Sequence, residues 1–293
     1  MRKFLLVLAS LAFAGMACAQ NPLQQLLRQI PVPGGVQQQR AAPQQPAANV
    51  PQPGLGETSL SDEIAIGRQL AGNLLGAVPL VKDDKLQSYV NKVGLWIAAQ
   101  SERPDLSWHF GVLESNDINA FSLPGGYIFV TKGLYASLNS ESELAGVLGH
   151  EIGHVVMKHH LNLLQQSRIV GVVGNLISSQ VGGRGVAQDT MVKNLIGNGA
   201  QAVARGLDKD AEYEADRLGV VLATRAGYEP YGLAAFLQKL ARVNHSEAGV
   251  ALLFKTHPLP QDRLMALGDS MRDTFDQYSG AKTNQERFEA SLR

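Results

Sequence analysis

Ser140-Glu-Ser-Glu-Leu-Ala-Gly-Val-Leu-Gly-His-Glu-Ile-Gly-His154 decides the reading of this chain. Ser140 and Glu143 have the spacing of a capping box, which predicts a helix starting there. Leu144, Val147, Leu148, Ile152, Val155 and Val156 follow, with no proline before His159. A helix that is apolar on most sides is a buried one. His150, Glu151 and His154 therefore lie in a buried helix, where they are costly unless a metal or polar partners satisfy them. Residues four apart share a helical face about 5–6 Å apart at Cβ, so His150 and His154 aim at one metal. Glu151 lies beside that face, placed to take a proton from a water. H-E-x-x-H is a zinc-site signature of this kind. The plain alternative is a pair of core histidines bonded to backbone.

Zinc needs a third protein ligand, and a catalytic site leaves the fourth position open. Glu212-Tyr213-Glu214-Ala215-Asp216 is the best region for it. Glu212 and Asp216 share a helical face. Glu212 suits the metal, and Asp216 suits the second ring N–H of a ligand histidine, fixing its tautomer. Ala215 allows close packing on Gly153. Glu214 reads as a solvated surface charge. By spacing alone Asp208, Asp210 and Glu214 remain rivals to Glu212.

These segments, with Thr256-His257-Pro258 and Arg263 six residues beyond the histidine, resemble the zinc peptidase family of HtpX and the CAAX prenyl protease. The stretch Asn119-Ala-Phe-Ser-Leu-Pro-Gly-Gly-Tyr-Ile-Phe-Val130 resembles its soluble periplasmic BepA-like and LoiP-like branch. The likeness runs from about Leu60 to the C-terminus and departs from the BepA-like pattern in lacking a helical repeat region after the domain.

The resemblance implies an α+β, mostly α-helical, gluzincin-type zinc peptidase domain, with a small β-sheet beside the HExxH helix. It implies one zinc per chain, held by His150, His154 and Glu212, with Glu151 as base. It places His257 over the zinc as a removable fourth ligand that keeps the enzyme latent. Arg263 would stabilise the charged transition state. Asn119, Ala120, Phe121 and Ser122 would form an exposed strand edge that holds an extended substrate by main-chain pairing. The expected activity is endopeptidase cleavage of unfolded or misassembled cell-envelope proteins, as quality control. The alternative is a chaperone-like platform for the outer-membrane assembly machinery with little proteolysis, which would not need Glu151.

The flanks fit a secreted protein. Met1-Arg2-Lys3, an apolar run from Phe4 to Ala14 and Ala17-Cys18-Ala19 read as a signal peptide over residues 1–19. That predicts a periplasmic protein; the alternative is an outer-membrane lipoprotein anchored through Cys18. Residues 20–58 are rich in Gln and Pro and read as a disordered linker. Residues 59–293 read as one domain. With 26 basic and 26 acidic residues, the charge balance gives no sign of a nucleic-acid partner.

Within the domain, helical spacing runs from Ser61 to Leu75 and from Asp84 to Gln100. Trp108 to Glu114 alternates like a strand, and Pro124-Gly125-Gly126 marks a hairpin between Asn119–Leu123 and Tyr127–Val130. Leu161 to Gly206 carries an apolar, Gly-interrupted patch too short to span a bilayer. It suits a core-facing helical hairpin better than a peripheral membrane contact or a mobile cover. His109, His159, His160 and His245 carry no motif and receive no role.

Overall fold

The computed structural model describes residues 58–166, 207–244, 247–257, 259–272, 274–278 and 280–292. The expected signal peptide, all but the last residue of the expected linker, His245 and residues 167–206 of the apolar segment lie outside them. Two helices open the domain, α1 (Leu60–Ala77) and α2 (Asp84–Ala98). The strands β1 (His109–Leu113), β2 (Ala120–Leu123) and β3 (Tyr127–Thr131) follow, each within one residue of its predicted bounds. The rest is helical: α3 (Lys132–Ser137), α4 (Glu141–Val156), α5 (His159–Gln166), α6 (Lys209–Arg225), α7 (Gly232–Leu240), α8 (Ala248–Thr256), α9 (Pro260–Met271) and α10 (Gln285–Ser291). Among the described residues no helix is long and apolar enough to cross a membrane. The fold is mostly helical with one small sheet, in agreement with the expected α+β class.

The sheet has the order β1-β3-β2, with β1 parallel and β2 antiparallel to β3. Ala120 pairs with Val130 and Leu123 with Tyr127 around the Pro124–Gly126 turn. Gly125 and Gly126 both have positive φ there, the region that favours glycine. Buried Glu63 pins this turn by accepting from the Gly125 N–H at 3.1 Å. The same carboxylate takes both arms of Arg103, which also donates to the Val155 carbonyl at 3.1 Å. One ion pair thus ties α1, the hairpin and the end of α4 together.

Helix α4 is the centre of the domain, buried at every position from Glu141 to Val155. Ser140 caps it, accepting from the Glu143 N–H at 3.2 Å. The Glu143 carboxylate returns to the Asn139 N–H at 2.9 Å rather than to the cap residue itself, a capping box displaced by one residue. Helix α6 packs closely along α4. A Cβ on Gly149 would stand 2.7 Å from the Gly219 carbonyl oxygen, so the two backbones touch there. One turn further along, Gly153 faces Ala215. This small-residue seam brings the carboxylates of α6 within reach of the histidines of α4.

Candidate active site

The seam sets Glu212 opposite His150 and His154. Ring Nε2 atoms of the two histidines are 3.0 Å apart. Glu212 Oε2 lies 3.7 Å from His150 Nε2, and Oε1 lies 3.4 Å from His154 Nε2. His257 closes the group, with Nδ1 at 2.8 Å from Glu212 Oε2. It caps α8 in extended backbone, φ −127° and ψ 145°, as a residue before proline should. The ligand atoms of His150, His154, Glu212 and His257 lie within 4.8 Å of one another, and all four residues are buried.

Helix α6 separates the rival carboxylates. Asp208 is its N-cap, accepting from the Ala211 N–H at 2.8 Å. Asp210 is exposed. Glu214 is partly exposed, as expected of a surface charge, but it also faces His159 Nε2 at 3.2 Å: the chain reverses after α4 and brings His159 over that face of α6. Asp216 Oδ1 lies 2.8 Å from His150 Nδ1. The same carboxylate receives Arg263 Nε at 2.8 Å and Nη2 at 2.5 Å. Arg263 is therefore a buried, bidentate partner of Asp216, with Nη1 left turned towards Glu212 Oε2 at 3.6 Å.

Electrostatics follow from burial and these pairings. Burial and the neighbouring Arg263 push the His150 pKa below its ordinary value. Burial lowers His154 too, against the pull of Glu212. Both rings are held neutral, the state a metal ligand needs. Burial opposes ionisation of Asp216, but Arg263 and His150 outweigh it and hold the carboxyl at about 2. Glu212 is likewise held well below the ordinary range, because His257 and His154 outweigh its burial. His257 is raised, the attraction of Glu212 overcoming desolvation.

The donor set fits a divalent cation. With its proton on Nδ1 facing Asp216, His150 presents a bare lone pair at Nε2. That lone pair, His154 Nε2 and the Glu212 carboxylate converge on one buried point. Glu212 Oε1 has no hydrogen-bond partner there. Lone pairs that converge on an unpartnered buried oxygen are what a cation such as zinc resolves.

A narrow cleft opens beside the group. It is bordered by His150, Glu151, His257, Arg263 and Ala120, and then by apolar side chains including Leu134, Val147 and Phe236. Ala120 brings β2 to this cleft, and β2 is an edge of the sheet. The edge is not exposed as expected: Asn119, Ala120 and Ser122 are buried, because α1, α4 and α5 pack around the strand.

His159 and His160 carry no sequence motif, and the structure brings both to His154. His159 Nδ1 stands 2.9 Å from His154 Nδ1, and the His160 ring centre 5.4 Å from that of His154. The i, i+5 spacing is not a helical face. It works because Lys158 takes positive φ, 59°, and turns the chain between α4 and α5. Lysine is not a residue that announces such a turn.

A buried His-His-Glu group on an H-E-x-x-H helix, with a carboxylate beside it, defines a zinc metallopeptidase. Residues 84–270 match the model for peptidase family M48, and the chain belongs to that family. It is 32% identical over 253 residues to the beta-barrel assembly-enhancing protease of Yersinia pestis, a match covering 83% of this chain and 51% of that protein. The protein of the same name from Escherichia coli (strain K12) is 27% identical over 212 residues, covering 70% and 43%. Mitochondrial metalloendopeptidase OMA1 of Schizosaccharomyces pombe is 27% identical over 197 residues, covering 65% and 56%. The chain spans about half the length of the curated relatives it matches.

Proposed function

We propose that this protein is a zinc-dependent endopeptidase that cleaves unfolded or misassembled cell-envelope proteins, in the periplasm, as quality control. The observation that carries the reading is the convergence of His150, His154 and Glu212 on one point beside Glu151. Zinc, when bound, polarises the scissile carbonyl and acidifies water. Glu151 takes the proton of the attacking water and passes it to the leaving amine. Arg263 Nη1, the arm not spent on Asp216, steadies the oxyanion. Asp216 holds the His150 ring in its ligand tautomer, and Arg263 fixes Asp216.

His257 serves as a removable fourth ligand that keeps the enzyme latent. Its place between Glu212 and the cleft supports this. Substrate lies along β2 at Asn119–Ser122, and the apolar lining beyond Ala120 suits an apolar side chain next to the cut bond. Covering α1 and α5 must shift for main-chain pairing along the whole strand. The envelope setting is supported by the leader-like N-terminus and by relatives whose names refer to β-barrel assembly.

Casein cleavage by wild type, with and without a chelator, compared with Glu151→Gln, tests the activity. Chelator-sensitive cleavage by wild type that is absent from the variant is expected. Assembly support that persists undiminished in Glu151→Gln would favour the chaperone-like platform instead. Comparing the envelope proteome with active enzyme and with Glu151→Gln then identifies substrates.

A further inference from the structure

We propose that His159 and Glu214 act as a positioning relay behind His154, holding that ring in the one tautomer that can bind the metal. The inference rests on the zinc-peptidase reading of the site. Its basis is a line of three contacts. His154 Nε2 faces the cluster, 3.0 Å from His150 Nε2 and 3.4 Å from Glu212 Oε1. A nitrogen that binds a metal must present a bare lone pair, so the proton of neutral His154 sits on Nδ1.

That Nδ1 is 2.9 Å from His159 Nδ1. Two imidazole nitrogens at this distance share one proton, so His159 Nδ1 accepts and its own proton is on Nε2. His159 Nε2 is 3.2 Å from Glu214 Oε2, an ionised acceptor. Every position in the line is thereby assigned, and it is assigned in the direction metal binding requires. The opposite order would put a proton on His154 Nε2, facing His150, and would set two bare nitrogens, or a nitrogen and a carboxylate, against each other along the line.

His150 is held in the same way by a single carboxylate, Asp216, at 2.8 Å. The two ligand histidines thus have separate supports, each ending on a carboxylate of α6, directly for His150 and through His159 of α5 for His154. Glu212, Glu214 and Asp216 lie at i, i+2 and i+4 on that helix: the first faces the cluster, the second stands behind His154, the third behind His150. Glu214 meets His159 rather than His154, and His159 stands between them because the left-handed turn at Lys158 folds it back over α4. The two supports differ in exposure. Asp216 is buried, whereas the Glu214 side chain is 36% exposed and His159 9%. Outer partners of this type change metal affinity by about 10–100-fold when lost.

The test is zinc affinity, read by competition with a chromogenic chelator, together with thermal melts of the metal-free proteins. His159→Ala and Glu214→Ala should each weaken zinc binding by about 10–100-fold. The double variant should be no weaker than His159→Ala alone, because one line serves both residues. Glu214→Gln, which keeps an acceptor oxygen, should retain affinity within about tenfold of wild type.

A purely structural role would lower the melting temperature and leave zinc affinity unchanged. Zinc affinity within twofold of wild type in both alanine variants overturns the proposal, as do fully additive losses in the double variant. Should His159→Ala fail to fold, Glu214→Ala decides alone, since its partly exposed side chain tolerates truncation. A wild type that binds no zinc sinks the peptidase reading and the relay with it. A wild type that binds zinc through His154, with both variants binding equally well, sinks the relay only.

Discussion

Helix α4 has a buried ionised carboxylate at each end, its own Glu141 at the first turn and Glu212 of α6 against His150 and His154, and the two are satisfied in opposite ways. At its first turn Glu141, 0% exposed, is surrounded by donors. Tyr89 OH donates at 2.5 Å, Tyr228 OH at 2.8 Å, Asn284 Nδ2 at 3.4 Å, and Arg287 through both Nε and Nη2. Burial opposes ionisation, but Arg287 and the two tyrosines outweigh it and lower the Glu141 pKa. The helix N-terminus favours the same charge. Three turns later the cluster around Glu212 has acceptors facing acceptors, with Oε1 unpartnered. Along one helix, then, a matched polar group locks α2, the turn after α6 and α10 to the core, while a mismatched one leaves a place for a cation. Burial of a charge is common to both; the balance of donors distinguishes structure from site.

The sharpest way to break this comparison is to remove the base that only the open end needs. Glu151→Gln should lose about 10²–10⁴-fold in turnover while holding about one zinc per chain and the wild-type melting temperature. Peptide turnover and metal analysis measure both. Residual cleavage of wild-type size that a chelator removes would show that Glu151 is not the base.

Truncating one carboxylate at each end comes next. Glu141→Ala should cost about 2–4 kcal/mol of stability, because it leaves the Tyr89 and Tyr228 hydroxyls without their acceptor while the exposed Arg287 turns to solvent, and should leave zinc content at one. Glu212→Ala should abolish zinc uptake yet cost the metal-free protein less than Glu141→Ala, since only His257 donates to Glu212 within 3 Å whereas four residues donate to Glu141. Urea unfolding of the metal-free forms decides the point, and the reverse ranking would break the comparison. Arg263→Ala belongs to both classes. It should lower turnover by roughly 10²–10³-fold, the loss of one oxyanion donor, and destabilise the fold by leaving Asp216 buried and unpaired.

Much of this was legible in the residues. The capping residues and apolar run marked α4, the alternation and the Pro-Gly-Gly turn marked the strands, and four-residue spacing put His150 with His154 and Glu212 with Asp216. Local period carries such information because each partner lies on the same element. Choosing Glu212 over Asp208, Asp210 and Glu214 needed the family resemblance, since spacing on one helix says nothing of what faces it. The site of His159 was illegible for another reason: its approach to His154 depends on a positive φ at a lysine. The burial of Arg263 was equally hidden, because its partner Asp216 is 47 residues away in sequence. The burial of β2 was hidden as well, depending on helices that pack from both sides.

A pH titration sharpens the electrostatic side of the comparison with a smaller effect. The folded pKa of Asp216 is depressed from 3.8 to about 2. Its contribution to stability is therefore complete above the ordinary value and is lost as pH falls from about 4 to about 2. A shift of this size corresponds to about 2 kcal/mol. In the metal-free protein, the stability difference between wild type and Asp216→Asn should shrink by about that amount across this window. A difference that stays constant there would mean that Asp216 and Arg263 are not coupled as the geometry indicates.

The smallest expected effect concerns His257. It sits at the open end, yet it supplies what the cluster otherwise lacks, a group whose raised pKa lets it donate to Glu212 at 2.8 Å. In the metal-free protein it is thus a partial answer to the mismatch, and under the proposed function it becomes, with zinc present, a fourth ligand that a substrate must displace. His257→Ala should keep zinc, because His150, His154 and Glu212 remain. It should raise basal casein cleavage a few-fold, roughly 1 kcal/mol in barrier, and increase self-cleavage within residues 20–58. Arg263→Ala moves activity the other way, so the pair of variants separates a cap from a catalytic donor. If both variants lose activity, His257 assists the transition state and latency is not its role. If His257→Ala leaves activity unchanged while zinc affinity falls, His257 is an ordinary ligand, and the mismatch at this end of α4 is resolved by four protein groups rather than three.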